Sequence, residues 1–157
     1  MRKNIEDFLF NECIKYLGKY PATKHTLVEI INKKIRNKKL HIENNDREIL
    51  LEKIITRLDD LNIINESNYL ESMFNYYQKS LFSIRKIKNK LHQKGFDKKK
   101  IDEHISIQLQ ENSELETDIL KEYIKKKKLE DLELNELKKK LYNQGFLEGT
   151  IYKIIRE

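Results

Sequence analysis

The sequence predicts an all-α fold, an elongated tandem array of three three-helix repeats. Only 4 glycines and 1 proline interrupt 157 residues, so few positions break a helix. Apolar residues recur three and four residues apart along almost the whole chain, which is the spacing of one helical face. A segment of 22 residues also recurs 50 residues later with 7 identities. Together these observations favour a single domain, residues 1–157, whose neighbouring repeats bury each other's apolar faces.

Repeat one, residues 1–64, contains the first three helices. The first helix ends at the turn-forming segment Gly18 to Pro21. Thr23 can cap the second helix, and Asn45 followed three residues later by Glu48 resembles a capping box for the third. The apolar stripes predicted to be buried are Ile5, Phe8, Leu9, Cys13, Tyr16 and Leu17, then Leu27, Ile30, Ile31 and Ile35, then Leu50, Leu51, Ile54, Leu58 and Leu61.

Repeat two, residues 65–112, contains the fourth to sixth helices. Ser67, Ser83 and Asp97 are placed to open them in turn, because short polar side chains satisfy the first free amides of a helix. The predicted stripes are Leu70, Met73, Phe74 and Tyr77, then Ile84, Ile87 and Leu91, then Ile101, Ile105 and Leu109.

Repeat three, residues 113–157, contains the last three helices. Ser113 and Glu116 form an S-x-x-E capping box at its start. The predicted stripes are Leu115, Ile119, Leu120, Tyr123 and Ile124, then Leu134, Leu137 and Leu141, then Ile151, Ile154 and Ile155.

The strongest local signal is a Gly-Phe pair that ends both the fifth and the eighth helix. Gly95 and Gly145 can take the left-handed position after a helix, which lets Phe96 and Phe146 pack back onto the preceding turn. The match extends over residues 84–105 and 134–155. The identical pairs are Lys88/Lys138, Lys90/Lys140, Leu91/Leu141, Gly95/Gly145, Phe96/Phe146, Ile101/Ile151 and Ile105/Ile155. At an offset of 60, Thr23, Leu27 and Ile31 align with Ser83, Ile87 and Leu91.

This order of helices, with the linker Leu58 to Tyr69 and the Gly-Phe stops, resembles the RecX family of recombinase regulators. The resemblance covers nearly the whole chain, and its best-matched stretches are Leu58 to Ile105 and Leu137 to Ile155. The chain has Leu81-Phe82 where the family commonly has a glycine before the fifth helix, and Asn65-Glu66-Ser67 where the family's linker usually has an acidic pair.

The resemblance implies a regulator of DNA recombination and repair, connected with the SOS response. Proteins of the family bind in the helical groove of the RecA–DNA filament and usually inhibit its ATPase, strand-exchange and coprotease activities. The partners implied are the RecA filament and the single-stranded DNA within it, and the protein is expected to be a monomer.

The charges provide independent evidence, because they alternate along the chain. The net charge is +6 for residues 19–40, −5 for 41–72, +8 for 73–100, −6 for 101–120 and +3 for 121–142, and both ends are neutral. An AT-rich genome enriches lysine, but it does not order the lysines in this way. The basic segments include the second helix of each of the first two repeats.

The cations of these segments are the candidate contacts with an anionic partner, either a phosphate backbone or an acidic protein groove. Lys98, Lys99 and Lys100 occupy a first helical turn, where each opposes the helix dipole at a cost of about 0.3–1 kcal/mol. Something other than helix stability therefore favours them. The candidates are Lys33, Lys34, Arg36, Arg85, Lys86, Lys88, Lys90, Lys94, Lys98, Lys99 and Lys100. Lys125 to Lys128 are explained equally well as a solvated helix end.

Several classes of function are not expected. There is no catalytic motif or phosphate-binding glycine loop, so an enzyme is not predicted. Cys13 and the 4 histidines show no metal-ligand spacing, so neither a metal nor another cofactor is predicted. Cys13 is assigned to the core, and His92 and His104 to helix surfaces. No apolar run approaches the roughly 20 residues of a membrane span, which favours a cytoplasmic protein without membrane contact.

Two alternatives stay open beside the filament regulator. One is a sequence-independent nucleic-acid-binding helical module, and the other is a protein-interaction scaffold that binds no nucleic acid. Among the aromatic residues, Phe74 and Tyr77 fit the buried stripe, while Tyr76 falls on the exposed side and could stack on a base.

Overall fold

The structure is a computed structural model that describes residues 2–156, with side chains from Asn4 onward. Within that range every regular element is an α-helix, so the predicted all-α class is confirmed. The helices are α1 Arg2–Leu17, α2 Lys24–Asn37, α3 Asn44–Asp60, α4 Glu66–Lys79, α5 Ile84–Gln93, α6 Lys98–Glu111, α7 Leu115–Lys126, α8 Leu134–Asn143 and α9 Glu148–Ile155. None of these described helices is long and apolar enough to cross a bilayer.

The chain divides into two compact units, Met1–Tyr69 and Leu70–Glu157. The boundary falls within α4, after its first turn. The division into three repeats at residues 64/65 and 112/113 therefore stays a prediction, and the two units are described separately below.

The first unit builds its core from one face each of α1, α2 and α3. Leu9 and Ile54 are completely buried, and Cys13 lies in the same cluster, as predicted. Burial of each such aliphatic side chain contributes about 1.5–3 kcal/mol to folding. At the edge of the unit, Arg57 donates to Asp7 across 3.0 Å and so joins α3 to α1.

The second unit packs α5 on α6, and packs both α7 and α8 on α9. Its most deeply buried side chains include Phe74, Ile87, Leu91, Leu120 and Phe146. The inward faces of α5 and α8 are thus fixed by aliphatic residues at helical spacing. Their charged residues must lie on the remaining faces.

Six helices end in the same way, with one residue in the left-handed region. These residues are Lys39, Asn62, Leu81, Gly95, Lys128 and Gly145. After each of them, the next N–H bonds to the carbonyl five residues earlier, as for Phe96 to Leu91 and Phe146 to Leu141, both 3.3 Å. The prediction that Gly95 and Gly145 end equivalent helices is confirmed. The stop at Leu81 is made without the usual glycine, at φ 64°.

Two of the predicted N-caps, those of α2 and α5, are confirmed. Thr23 Oγ1 accepts from the Thr26 N–H at 3.1 Å, and Ser83 Oγ accepts from the Lys86 N–H at 3.2 Å. Asp97 precedes α6 without making a side-chain cap bond. At α4 the cap is Asn65 rather than Ser67, because Asn65 Oδ1 accepts from the Asn68 N–H at 3.1 Å.

The two predicted capping boxes are wrong. α3 begins at Asn44, after Glu43, which makes no side-chain cap bond. α7 begins after Glu114, and Ser113 does not cap it. Glu116 turns away from the box because its carboxylate is buried and accepts from groups on α5 and α9.

A glutamate near the start of one helix satisfies the first amide of an earlier helix in both units. Glu66 of α4 accepts from the Lys24 N–H of α2 at 2.6 Å. Glu116 of α7 accepts from the Ile84 N–H of α5 at 3.2 Å. The donors are 60 residues apart and the acceptors 50, which are the two offsets of the repeat pattern. Each carboxylate also adds negative charge where the helix dipole is positive.

Candidate nucleic-acid interface

The cationic residues of α5 lie around a narrow apolar stripe. Ile87 and Leu91 are buried, so the charged residues between them fall on the other faces. Arg85 is exposed, whereas Lys86, Lys88, Lys90 and Lys94 are half-buried.

Two of these lysines have polar partners within the second unit. Lys88 Nζ lies 2.8 Å from Asp102 Oδ1 and joins α5 to α6. Lys86 Nζ lies 3.4 Å from Gln144 Oε1 and 4.2 Å from the ring centroid of Phe82. Charge reversal at either lysine would therefore disturb the fold as well as any external contact.

The first turn of α6 carries three exposed lysines, Lys98, Lys99 and Lys100. Lys98 and Lys99 line an open depression of about 770 Å³ on this helix, together with Asp97, Asp102, Glu103, Ser106 and Ile107. Asp97 makes no side-chain cap bond, and Asp102 of the depression is paired with Lys88.

In the first unit, α2 provides the other basic group. Lys33 and Arg36 are exposed, and Lys34 pairs with Glu12 of α1 at 3.3 Å. The hydrogen bond from Lys34 is the main reason that the pKa of Glu12 is lowered. The candidates that present exposed charge are thus Lys33, Arg36, Arg85, Lys98, Lys99 and Lys100.

One group of exposed side chains, on α8 and α9, was not predicted from the sequence. Tyr142 is 58% exposed and Tyr152 43% exposed. Lys138 Nζ lies 5.1 Å from the ring centroid of Tyr152, within the range of a cation–π contact. The signal was available in the repeat alignment, because Tyr152 replaces Asp102 and Tyr142 replaces His92.

The buried titratable groups do not form a reactive centre. Burial raises the pKa of the Cys13 thiol to about 11, so the nucleophilic thiolate is disfavoured. His104 was assigned to a surface, and this is wrong. Its ring packs edge-on against Phe74 at 4.9 Å, and burial lowers its pKa. Among the described residues no cluster of His, Cys, Asp and Glu has the arrangement of a metal site.

Comparison with known proteins finds similarity in both sequence and fold, although no protein-family model matches the chain. The protein described as "Regulatory protein RecX" from Caldanaerobacter subterraneus subsp. tengcongensis is 24% identical over 148 residues, covering 92% of this chain and 74% of that protein.

Two solved structures share the fold. The crystal structure of RecX from Lactobacillus salivarius matches with a TM-score of 0.74 at 22% identity, covering 98% of this chain and 96% of that one. A crystal structure of regulatory protein RecX matches with a TM-score of 0.73 at 18% identity, covering 99% and 74%. The resemblance noted in the sequence is confirmed, and the relative and the two structures together support a RecX family protein.

Proposed function

We propose that this protein binds in the groove of the RecA–DNA filament and inhibits the recombinase's ATPase, strand exchange and coprotease activity. The observation that carries the proposal is the similarity over 92% of the chain to a regulatory protein RecX, with the matching fold. We expect the protein to act as a monomer in the cytoplasm, where it meets the filament and the single-stranded DNA within it.

The exposed cations suggest how binding would occur. Lys33 and Arg36 of α2, Arg85 of α5, and Lys98 and Lys99 of α6 are exposed. Several modest contacts on one chain add through proximity, so a chain that touches more than one filament subunit would bind tightly. The acidic segments 41–72 and 101–120 would face basic protein surface.

Inhibition would then be steric and would require no chemical reaction by this protein. A protein lodged in the groove hinders the subunit motions coupled to nucleotide hydrolysis and blocks entry of a second DNA. In this mechanism no residue of the chain needs to react.

The test is the ATPase rate of the cognate recombinase on single-stranded DNA, with increasing amounts of this protein. We expect the wild-type protein to lower the rate and the Lys98→Glu/Lys99→Glu variant to do so at least tenfold less effectively. The matched control is Lys125→Glu/Lys126→Glu, which reverses two adjacent exposed lysines outside the proposed contacts. No change of the rate at saturating protein would refute the proposal.

A second function, sequence-independent nucleic-acid binding, is favoured by the same exposed cations. It predicts tight binding to naked DNA that weakens steeply as salt rises. A gel shift that compares naked DNA with filament-coated DNA separates the two functions. Binding to neither form would instead favour a protein-interaction scaffold.

A further inference from the structure

The α8–α9 hairpin resembles the α5–α6 hairpin at its buried positions but differs from it at exposed positions. Three outer positions that are polar in α5–α6 become aromatic or aliphatic 50 residues later. The replacements are His92 by Tyr142, Asp97 by Leu147, and Asp102 by Tyr152. All three new side chains are substantially exposed. Tyrosine is enriched at interfaces, because its ring is apolar and its hydroxyl is polar.

Both tyrosines can be placed relative to one lysine of α8. Tyr142 follows Lys138 by four residues, which places it one turn further along the same side of α8. Tyr152 reaches Lys138 from α9, with the ammonium 5.1 Å from its ring centroid. The hairpin therefore presents two aromatic rings beside one cation.

The hairpin carries more lysines than acidic residues. Lys139 of α8 is exposed and follows Lys138, whereas Lys140 projects from the opposite side of the helix from Tyr142. Glu136 and Glu148 are the acidic residues of α8 and α9. Exposed aromatic rings interspersed with lysines match single-stranded nucleic acid, because unpaired bases stack on the rings while cations contact the phosphates.

We propose that the α8–α9 hairpin binds single-stranded nucleic acid, with unpaired bases stacked on Tyr142 and Tyr152 and phosphates held by Lys138 and Lys139. The site goes beyond the proposed function, since it uses residues of α8 and α9 rather than the cations of α2, α5 and α6, and it needs no recombinase. It selects single strands because the faces of paired bases are covered by their neighbours.

The experiment is a fluorescence-anisotropy titration of the full chain against a labelled oligothymidylate, and against the same oligomer annealed to oligoadenylate. We expect Tyr142→Ala and Tyr152→Ala each to weaken binding of the single strand roughly tenfold and to leave binding of the duplex unchanged. Tyr142→Phe and Tyr152→Phe should restore wild-type affinity, because the ring and not the hydroxyl stacks. Both tyrosines are exposed, so thermal melting should show that every variant is folded.

Unchanged affinity of the alanine variants for the single strand would overturn the proposal, as would an equal loss for the duplex. Weaker inhibition of the recombinase with unchanged oligothymidylate binding would overturn it in favour of a protein-docking surface. Because no recombinase is present in the titration, failure here leaves the filament proposal intact. Failure of the ATPase test in turn leaves this site intact.

Discussion

In the α5–α6 hairpin Lys88 forms an ion pair with Asp102, whereas in the α8–α9 hairpin the equivalent Lys138 lies over the ring of Tyr152. The inner residues hardly differ, because the leucine, glycine, phenylalanine and isoleucine of the repeat recur at the same spacing. One set of buried residues thus supports two surfaces, one rich in cations and one with exposed aromatic rings. The comparison teaches that the apolar stripe and the Gly-Phe stop specify the hairpin, while its outer positions are free to acquire different binding roles.

The contact between α5 and the end of α8 gives the sharpest test of how these hairpins are joined. Gly145 has φ +93°, and a Cβ there would lie 2.7 Å from Ser83 Oγ. Ser83 also donates to the Gln144 carbonyl at 3.0 Å. We expect Gly145→Ala to destabilise the protein by about 3–4 kcal/mol, because backbone strain and steric overlap add. Urea denaturation followed by circular dichroism measures the change.

The matched control for that variant is Gly149→Ala in α9. A Cβ at Gly149 meets nothing within 4 Å, and the residue is helical. The control should therefore stabilise the protein by about 0.5–1 kcal/mol. A similar effect of both substitutions would show that the two hairpins do not depend on this contact.

The buried carboxylate of Glu116 also joins the two hairpins, by hydrogen bonds to α5 and α9. It accepts from the Ile84 N–H of α5 at 3.2 Å and from the Thr150 hydroxyl of α9 at 2.8 Å. We expect Glu116→Ala to lower the free energy of unfolding by about 2–3 kcal/mol, because both donors lose a charged acceptor. Glu116→Gln keeps one acceptor and should lose about 1 kcal/mol. Equal losses for both variants would show that side-chain packing, rather than hydrogen bonding, explains the role of Glu116.

The smallest expected effect is a dependence of stability on pH that arises from His104 of α6. Burial lowers the pKa of His104, despite the opposing influence of Glu71 and Glu111. The unfolded chain therefore takes up this proton first, and stability falls as the pH drops below about 6.5. The equivalent residue in α9 is Ile154, which does not titrate. We expect His104→Ile to flatten the fall in urea midpoint between about pH 7.5 and 5.5, and an unchanged slope would contradict this assignment.

Some local signals in the sequence predicted local structure correctly. The helix stops at Gly95 and Gly145 and the caps at Thr23 and Ser83 depend on residues within one or two turns, and all four were correct. The stop at Leu81 could not be predicted, because it places a leucine in a conformation that usually requires glycine.

Contacts between residues far apart in the sequence were harder to predict from it. The sequence pattern assigned Glu116 to a local capping box, but the packing of α7 directs its carboxylate to α5 and α9. The pairing of Lys88 with Asp102 depends on how two helices meet, which periodicity does not specify. Tyr142 and Tyr152 were missed because the apolar pattern was used to find buried residues, and these two are exposed.

The glutamate contacts also bear on how the chain folds during synthesis. The first amide of α2 is satisfied by Glu66, and that of α5 by Glu116, so each acceptor is translated after its donor. On the ribosome, a nascent chain that ends before Glu66 leaves α2 without this contact. These bonds of α2 and α5 can thus form only after the glutamate further along the chain has emerged.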